Sequence, residues 1–142
     1  MRRVTALTML LVVALAACSG SSDPTATYTG DGCDYDGPSE FDVNTNVTFT
    51  VTNDSDITDI GFAIWKFPSG VTSEEISSEG IFQAVGPDDD FAALNSSPTP
   101  IGEPEELSVF FDTPGQWGIN CFVFANDRSP EQDHTTMFTV NE

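Results

Sequence analysis

Histidine occurs once in these 142 residues, as His134, and lysine and arginine together occur four times. One imidazole cannot build a centre that needs several. Although Asp133 adjoins His134, no nucleophile stands in a recognisable motif with supporting residues, so His134 is read as an exposed loop histidine and the chain as a non-enzyme. The cationic residues are also badly placed to offset the acidic ones. Arg2 and Arg3 precede Cys18 and all 23 Asp and Glu follow it, so from Cys18 onward only Lys66 and Arg128 oppose them. That surplus repels phosphate, which excludes nucleic acid as a partner and pushes the domain away from anionic headgroups. The acidity is read as a solvated anionic surface suited to salty surroundings, with cation capture as the alternative. No apolar run reaches the roughly 20 residues that span a bilayer, and the length allows one modest core.

The longest apolar run, Val4 to Ala17, follows Arg2 and Arg3 in the layout of a secretory signal. It ends in Leu15-Ala16-Ala17-Cys18, which resembles the lipobox of bacterial lipoproteins. The resemblance implies removal of residues 1–17, diacylation of the Cys18 thiol, and anchoring on the outer face of the cytoplasmic membrane or another extracytoplasmic membrane surface. More than one acyl chain meets the two-signal requirement for stable attachment. Residues 18–31, rich in Ser, Thr, Gly and Asp, are expected to form a flexible linker, and residues 32–142 the folded domain.

Eleven Phe, two Trp and two Tyr, among many Thr and Val, favour strands as the source of the core. Gly32 to Pro38 reads as a short edge segment. Asn46 to Asn53, NVTFTVTN, alternates Val47, Phe49 and Val51 against threonines, the period of a half-buried strand. Ile60 to Phe67 is apolar on both faces and is placed centrally. Thr72 and Glu75 have capping-box spacing, predicting a short helix that ends near Gly80. Ile81 to Val85 is helix or strand. Gly86 to Pro104, with four prolines and Asp88-Asp89-Asp90, is expected to be one long surface loop anchored by Phe91 and Leu94. Leu107 to Phe111, Trp117 to Phe124 and about Thr135 to Val140 complete six or seven strands, giving an all-β Greek-key sandwich with one short helical insertion.

The closing stretch holds Pro114-Gly115, Trp117, Cys121, a loop, His134, Met137 and a last apolar strand. It resembles the final hairpin of cupredoxins, whose blue-copper members draw Cys, His and Met ligands from it and a second His from an earlier loop. The resemblance implies a cupredoxin-like sandwich with Cys121, His134 and Met137 as copper candidates, and a copper-carrying or electron-transfer role. The pattern departs from that set in three ways. A second histidine is missing, twelve residues separate Cys121 from His134 where the copper loop holds a few, and Phe122-Val123-Phe124 continues the strand past the cysteine.

With Cys18 lipidated, Cys33 and Cys121 remain as an even pair in an oxidising compartment, and a disulfide between them is expected. It would close a loop worth about 4 kcal/mol in the chain-entropy model and remove the thiolate that copper needs. The chain therefore looks like cupredoxin-like lipoproteins that keep the sandwich without a complete copper site. No resident cofactor is expected, and the role is binding of a protein or small molecule, or envelope support. Weak calcium binding is a further alternative, through Asp88-Asp89-Asp90 or Asp54, Asp56 and Asp59. The Asn-X-Ser/Thr patterns at Asn46, Asn53 and Asn95 are taken as chance, and Phe122 and Phe124 as buried in preference to forming an exposed patch.

Overall fold

The computed structural model describes residues 23–72, 74–76, 91–94, 97–123 and 134–142, with only the backbone described for 91–94. Among these residues nine strands form a sandwich of two sheets. The first sheet has the order β2 (Cys33–Asp36), β1 (Thr25–Tyr28), β4 (Thr45–Asn53) and β7 (Pro104–Phe111). The second has the order β3 (Glu40–Asp42), β9 (His134–Asn141), β8 (Gly115–Val123), β5 (Ile60–Lys66) and β6 (Phe91–Leu94). Both sheets are mixed, since β1 runs parallel to β4 and β3 parallel to β9.

The strand periods decide which residues reach the core. In β4, Phe49 and Val51 are fully buried while the intervening threonines are partly or wholly exposed, as alternation requires. In β5 and β8 nearly every position is buried, because the two faces meet different partners. Ile60, Phe62 and Ile64 of β5 and Trp117, Ile119, Cys121 and Val123 of β8 point between the sheets. There they join a pile of rings in which Phe41, Phe111 and Trp117 follow one another at 5.2 and 5.0 Å. Ala63, Trp65, Phe67 and Phe122 face outward, under Ile76 and Val71. Each large side chain so buried contributes roughly 1.5–3 kcal/mol.

The cover over that outer face begins with a capped helical turn. Glu75 accepts from the Thr72 amide at 2.8 Å, the Thr72 hydroxyl accepts from the Glu75 amide at 3.3 Å, and Ile76 N donates to Thr72 O at 3.2 Å. The expected reciprocal cap is present. The helix end expected at Gly80 and the assignment of Ile81 to Val85 lie outside the described residues.

Three expectations need correction. Thr25–Tyr28, assigned to the flexible linker, is β1, paired on both sides and burying Ala26 and Tyr28. Its composition resembles a spacer, but its two alternate apolar residues are enough when the neighbours come from distant sequence. Gly86 to Pro104 is not one uninterrupted loop, since Phe91–Leu94 pairs with β5 as β6 and Pro104 already opens β7. His134 is the first residue of β9 and half-buried, so it is not an exposed loop residue. Gly32 to Pro38 does contain an edge strand, β2, and β5 lies between two neighbours as expected.

Candidate functional site

Cys121 sits near the end of β8, completely buried on the face turned toward the other sheet. The strand that buries it is doubly apolar, so the cysteine lies inside the ladder and not at the mouth of a loop. Its sulfur is bonded to Cys33 on edge strand β2, Cα to Cα 5.9 Å, which joins the two sheets across 88 residues of sequence. The expected bridge is therefore present. His134 opposes Cys121 directly in the β8–β9 register. Met137 opposes Gly118, an odd number of positions away, and packs against the outer-face cluster that Ala63, Trp65, Phe67, Ile76 and Phe122 form.

The copper candidates of the sequence are thus separated. Cys121 and His134 share the inner face, Met137 lies on the reverse of the same sheet, and the cysteine has no free thiolate. The donor set does not fit type 1 copper, which needs a thiolate, two imidazoles and an axial thioether converging on one point. With the bridge from Cys33 to Cys121 closed, no three His, Cys, Asp or Glu side chains among the described residues are placed to hold a metal ion. Asp54, Asp56 and Asp59 are all exposed and form no such group, and Asp88-Asp89-Asp90 lies outside the described residues. Phe122 is buried, as expected, while Phe124 is not described.

Two buried asparagines hold this end of the sandwich, and the sequence reading missed both as structural elements. Asn120 donates through Nδ2 to Thr135 Oγ1 at 2.9 Å and to His134 O at 3.4 Å, so it fixes the start of β9 beside Cys121. Its signal was present, as one amide inside the apolar run WGINCFVF. Asn53, at the end of β4, donates to Ile57 O at 2.7 Å and Thr99 O at 3.3 Å and accepts from Ser55 Oγ at 2.7 Å. Every hydrogen-bonding atom of that amide is engaged, which fits an internal pin joining two loops and leaves no nitrogen presented for a glycan.

Tyrosines line the same region. Tyr28 opposes Cys33, and its ring lies 6.1 Å from that of His134. Burial, then the charge of Asp31, raises the Tyr28 pKa. Tyr35 donates to Pro38 O at 2.7 Å and stacks on Phe138, and burial followed by the charge of Asp36 pushes its pKa up to about 12. Toward the other end of β4, a cleft of about 330 Å³ is lined by Asp23, Glu40, Phe41, Asp42 and Val47 among others. No motif in the sequence marked it.

The sandwich superposes on reduced auracyanin from the photosynthetic bacterium Roseiflexus castenholzii with a TM-score of 0.52 at 19% identity, covering 83% of this chain and 95% of that one. The fold is that of the cupredoxins. Rusticyanin from Thiobacillus ferrooxidans is similar at a TM-score of 0.50 and 11% identity, over 83% of this chain and 75% of that one. No protein-family model and no curated protein matches the sequence. At these identities the likeness is one of cupredoxin architecture, and the chemistry of the end hairpin must be read from this chain's own residues.

Proposed function

We propose that the chain is a lipid-anchored, extracytoplasmic cupredoxin-fold module that binds without catalysing, and in which the cysteine of the closing hairpin serves as a structural clamp. The observation that carries this reading is the bridge from Cys33 to Cys121, which commits the sulfur that copper would require. A stable disulfide also suits an oxidising, exported setting. That setting agrees with the signal-like start and the Cys18 lipobox, from which Arg2 and Arg3 would be removed, leaving a strongly anionic surface exposed. The acid-rimmed cleft beside Phe41 is a concave surface, among the described residues, that could receive a ligand. Copper delivery or electron transfer is less well supported, because Met137 and His134 lie on opposite faces of one sheet.

The anchor is tested by expressing the full chain with Cys18 or with Cys18→Ala, then determining membrane partition and the mass of the amino-terminal peptide. Wild type partitions with membranes and carries acyl chains on residue 18, whereas C18A does neither. Unmodified wild-type protein in the soluble fraction would sink the anchor. The clamp is tested separately by adding copper to the native, unreduced chain. No intense thiolate-to-copper absorption is expected, and its appearance would reinstate the copper reading.

A further inference from the structure

Four residues on four strands close a ring at one end of the sandwich. Tyr28 opposes Cys33 across β1 and β2, Cys33 is bonded to Cys121 across the sheets, Cys121 opposes His134 across β8 and β9, and the His134 ring lies 6.1 Å from that of Tyr28. Directly opposed residues of an antiparallel pair hold their Cβ atoms about 4.5–5.5 Å apart, within reach of an imidazole and a thiol. The sulfurs of Cys33 and Cys121 already meet. Cys121 is enclosed, while Cys33 and His134 are each partly exposed, so the cluster is open on one side. Asn120 secures the backbone of His134 there.

In the oxidised chain the two sulfurs are committed to each other. Opening their bond at an unchanged backbone would leave two adjacent thiols, with an imidazole directly opposite one of them across the ladder. We propose that reduction of this bridge creates a binding site for a thiophilic closed-shell ion such as Zn²⁺, held by Cys33, Cys121 and His134. The reductant is a dithiol. One of its thiolates attacks Sγ of Cys33, the partly exposed partner on edge strand β2, and Cys121 leaves as a thiolate. The second thiol of the reductant then resolves the mixed disulfide and is itself oxidised, so the protein bridge has gained two electrons and two protons. Metal binding releases those protons from sulfur, and neutral His134 supplies the nitrogen.

Two thiolates with one imidazole select soft d¹⁰ ions, and three protein donors leave one position for water or a ligand. This donor set differs from that of type 1 copper. Cys33 enters from the opposite sheet and Met137 takes no part. The site goes beyond the binding module proposed above and does not depend on the lipid anchor.

The test compares oxidised and dithiol-reduced full-length protein in detergent, freed of reductant and kept without oxygen, for Zn²⁺ binding in competition with a chromophoric chelator. One Zn²⁺ per reduced chain is expected, bound at least about 100-fold more tightly than by the oxidised chain. His134→Gln, assayed in the reduced state, should weaken binding at least about 10-fold, the least that even a supporting contact to a metal ligand is worth, with its circular dichroism unchanged. Equal affinity in the two redox states, or H134Q binding as tightly as wild type, overturns the proposal. Tryptophan fluorescence covers the case in which reduction unfolds the chain. Recovery of the native spectrum with Zn²⁺ supports the site, and a chain that stays unfolded in excess Zn²⁺ overturns it.

Discussion

Cys121 faces His134 across the β8–β9 ladder, but its covalent partner is Cys33 in the other sheet. The end of the hairpin is therefore held from two directions, by backbone pairing within its own sheet and by sulfur across the core.

Replacing both bridge cysteines with serine should lower stability by about 4 kcal/mol, the loop-closure value for a bridge of this span. Calorimetry on C33S/C121S should show a melting temperature at least about 10 °C below wild type. An unchanged melting temperature would remove the clamp from the account of this fold.

Gly118 stands where no side chain fits. An added Cβ would lie 2.8 Å from Thr136 O and 2.8 Å from the Phe67 ring, and the carbonyl belongs to a paired strand that cannot yield cheaply. Gly118→Ala should cost about 1–3 kcal/mol in urea unfolding. Gly32→Ala, whose Cβ would meet nothing within 4 Å, serves as the control and should unfold near the wild-type midpoint.

Removal of the Asn53 amide strands Ile57 O, Thr99 O and the Ser55 hydroxyl inside two loops. Asn53→Ala is expected to destabilise by about 2–4 kcal/mol, since several polar groups lose their partner without regaining water. Amide exchange should accelerate at Ile57 and Gly102, which donate to Ser55 Oγ and Asn53 O, before the sheet centre responds. Uniform loss of protection across both sheets would contradict a local pin.

Alkaline titration isolates Tyr35. Its folded pKa, about 12, lies above the ordinary tyrosine value of 10.0, so the unfolded chain gives up the proton first. The stability contributed by the neutral phenol is whole below pH 10 and is lost as pH climbs through 12. Tyrosinate absorbance should include a late step that Tyr35→Phe abolishes. A single step near pH 10 for both tyrosines would show that Tyr35 is not shielded.

What the sequence reveals depends on whether a segment's neighbours are implied by its own pattern. NVTFTVTN and IGFAIWKF state their burial directly, one by alternation and the other by apolar residues on both faces. The Thr72 and Glu75 cap is equally local. β1, β3 and β6 are three or four residues long, and each exists because a distant strand supplies its ladder. Nothing within TATY announces a parallel pairing with Thr50 to Asn53. At the candidate site, cysteine parity gave the bridge, whereas the faces taken by His134 and Met137 required the register. Asn53 read as the last residue of a strand carrying a chance Asn-X-Ser pattern, and proved to be the internal support of the turn that follows.

The early start of β1 also fixes how far the domain can stray. Under the acylation proposed for Cys18, only six residues lie between that residue and Thr25, and at about 3.3–3.6 Å each they would form a leash on the order of 20 Å at full stretch. That is shorter than the nine-residue strand β4, about 30 Å long at the usual rise per residue. A sandwich anchored in the way proposed could swivel above the bilayer but not patrol the space beyond it, so whatever it met would have to come down to the membrane.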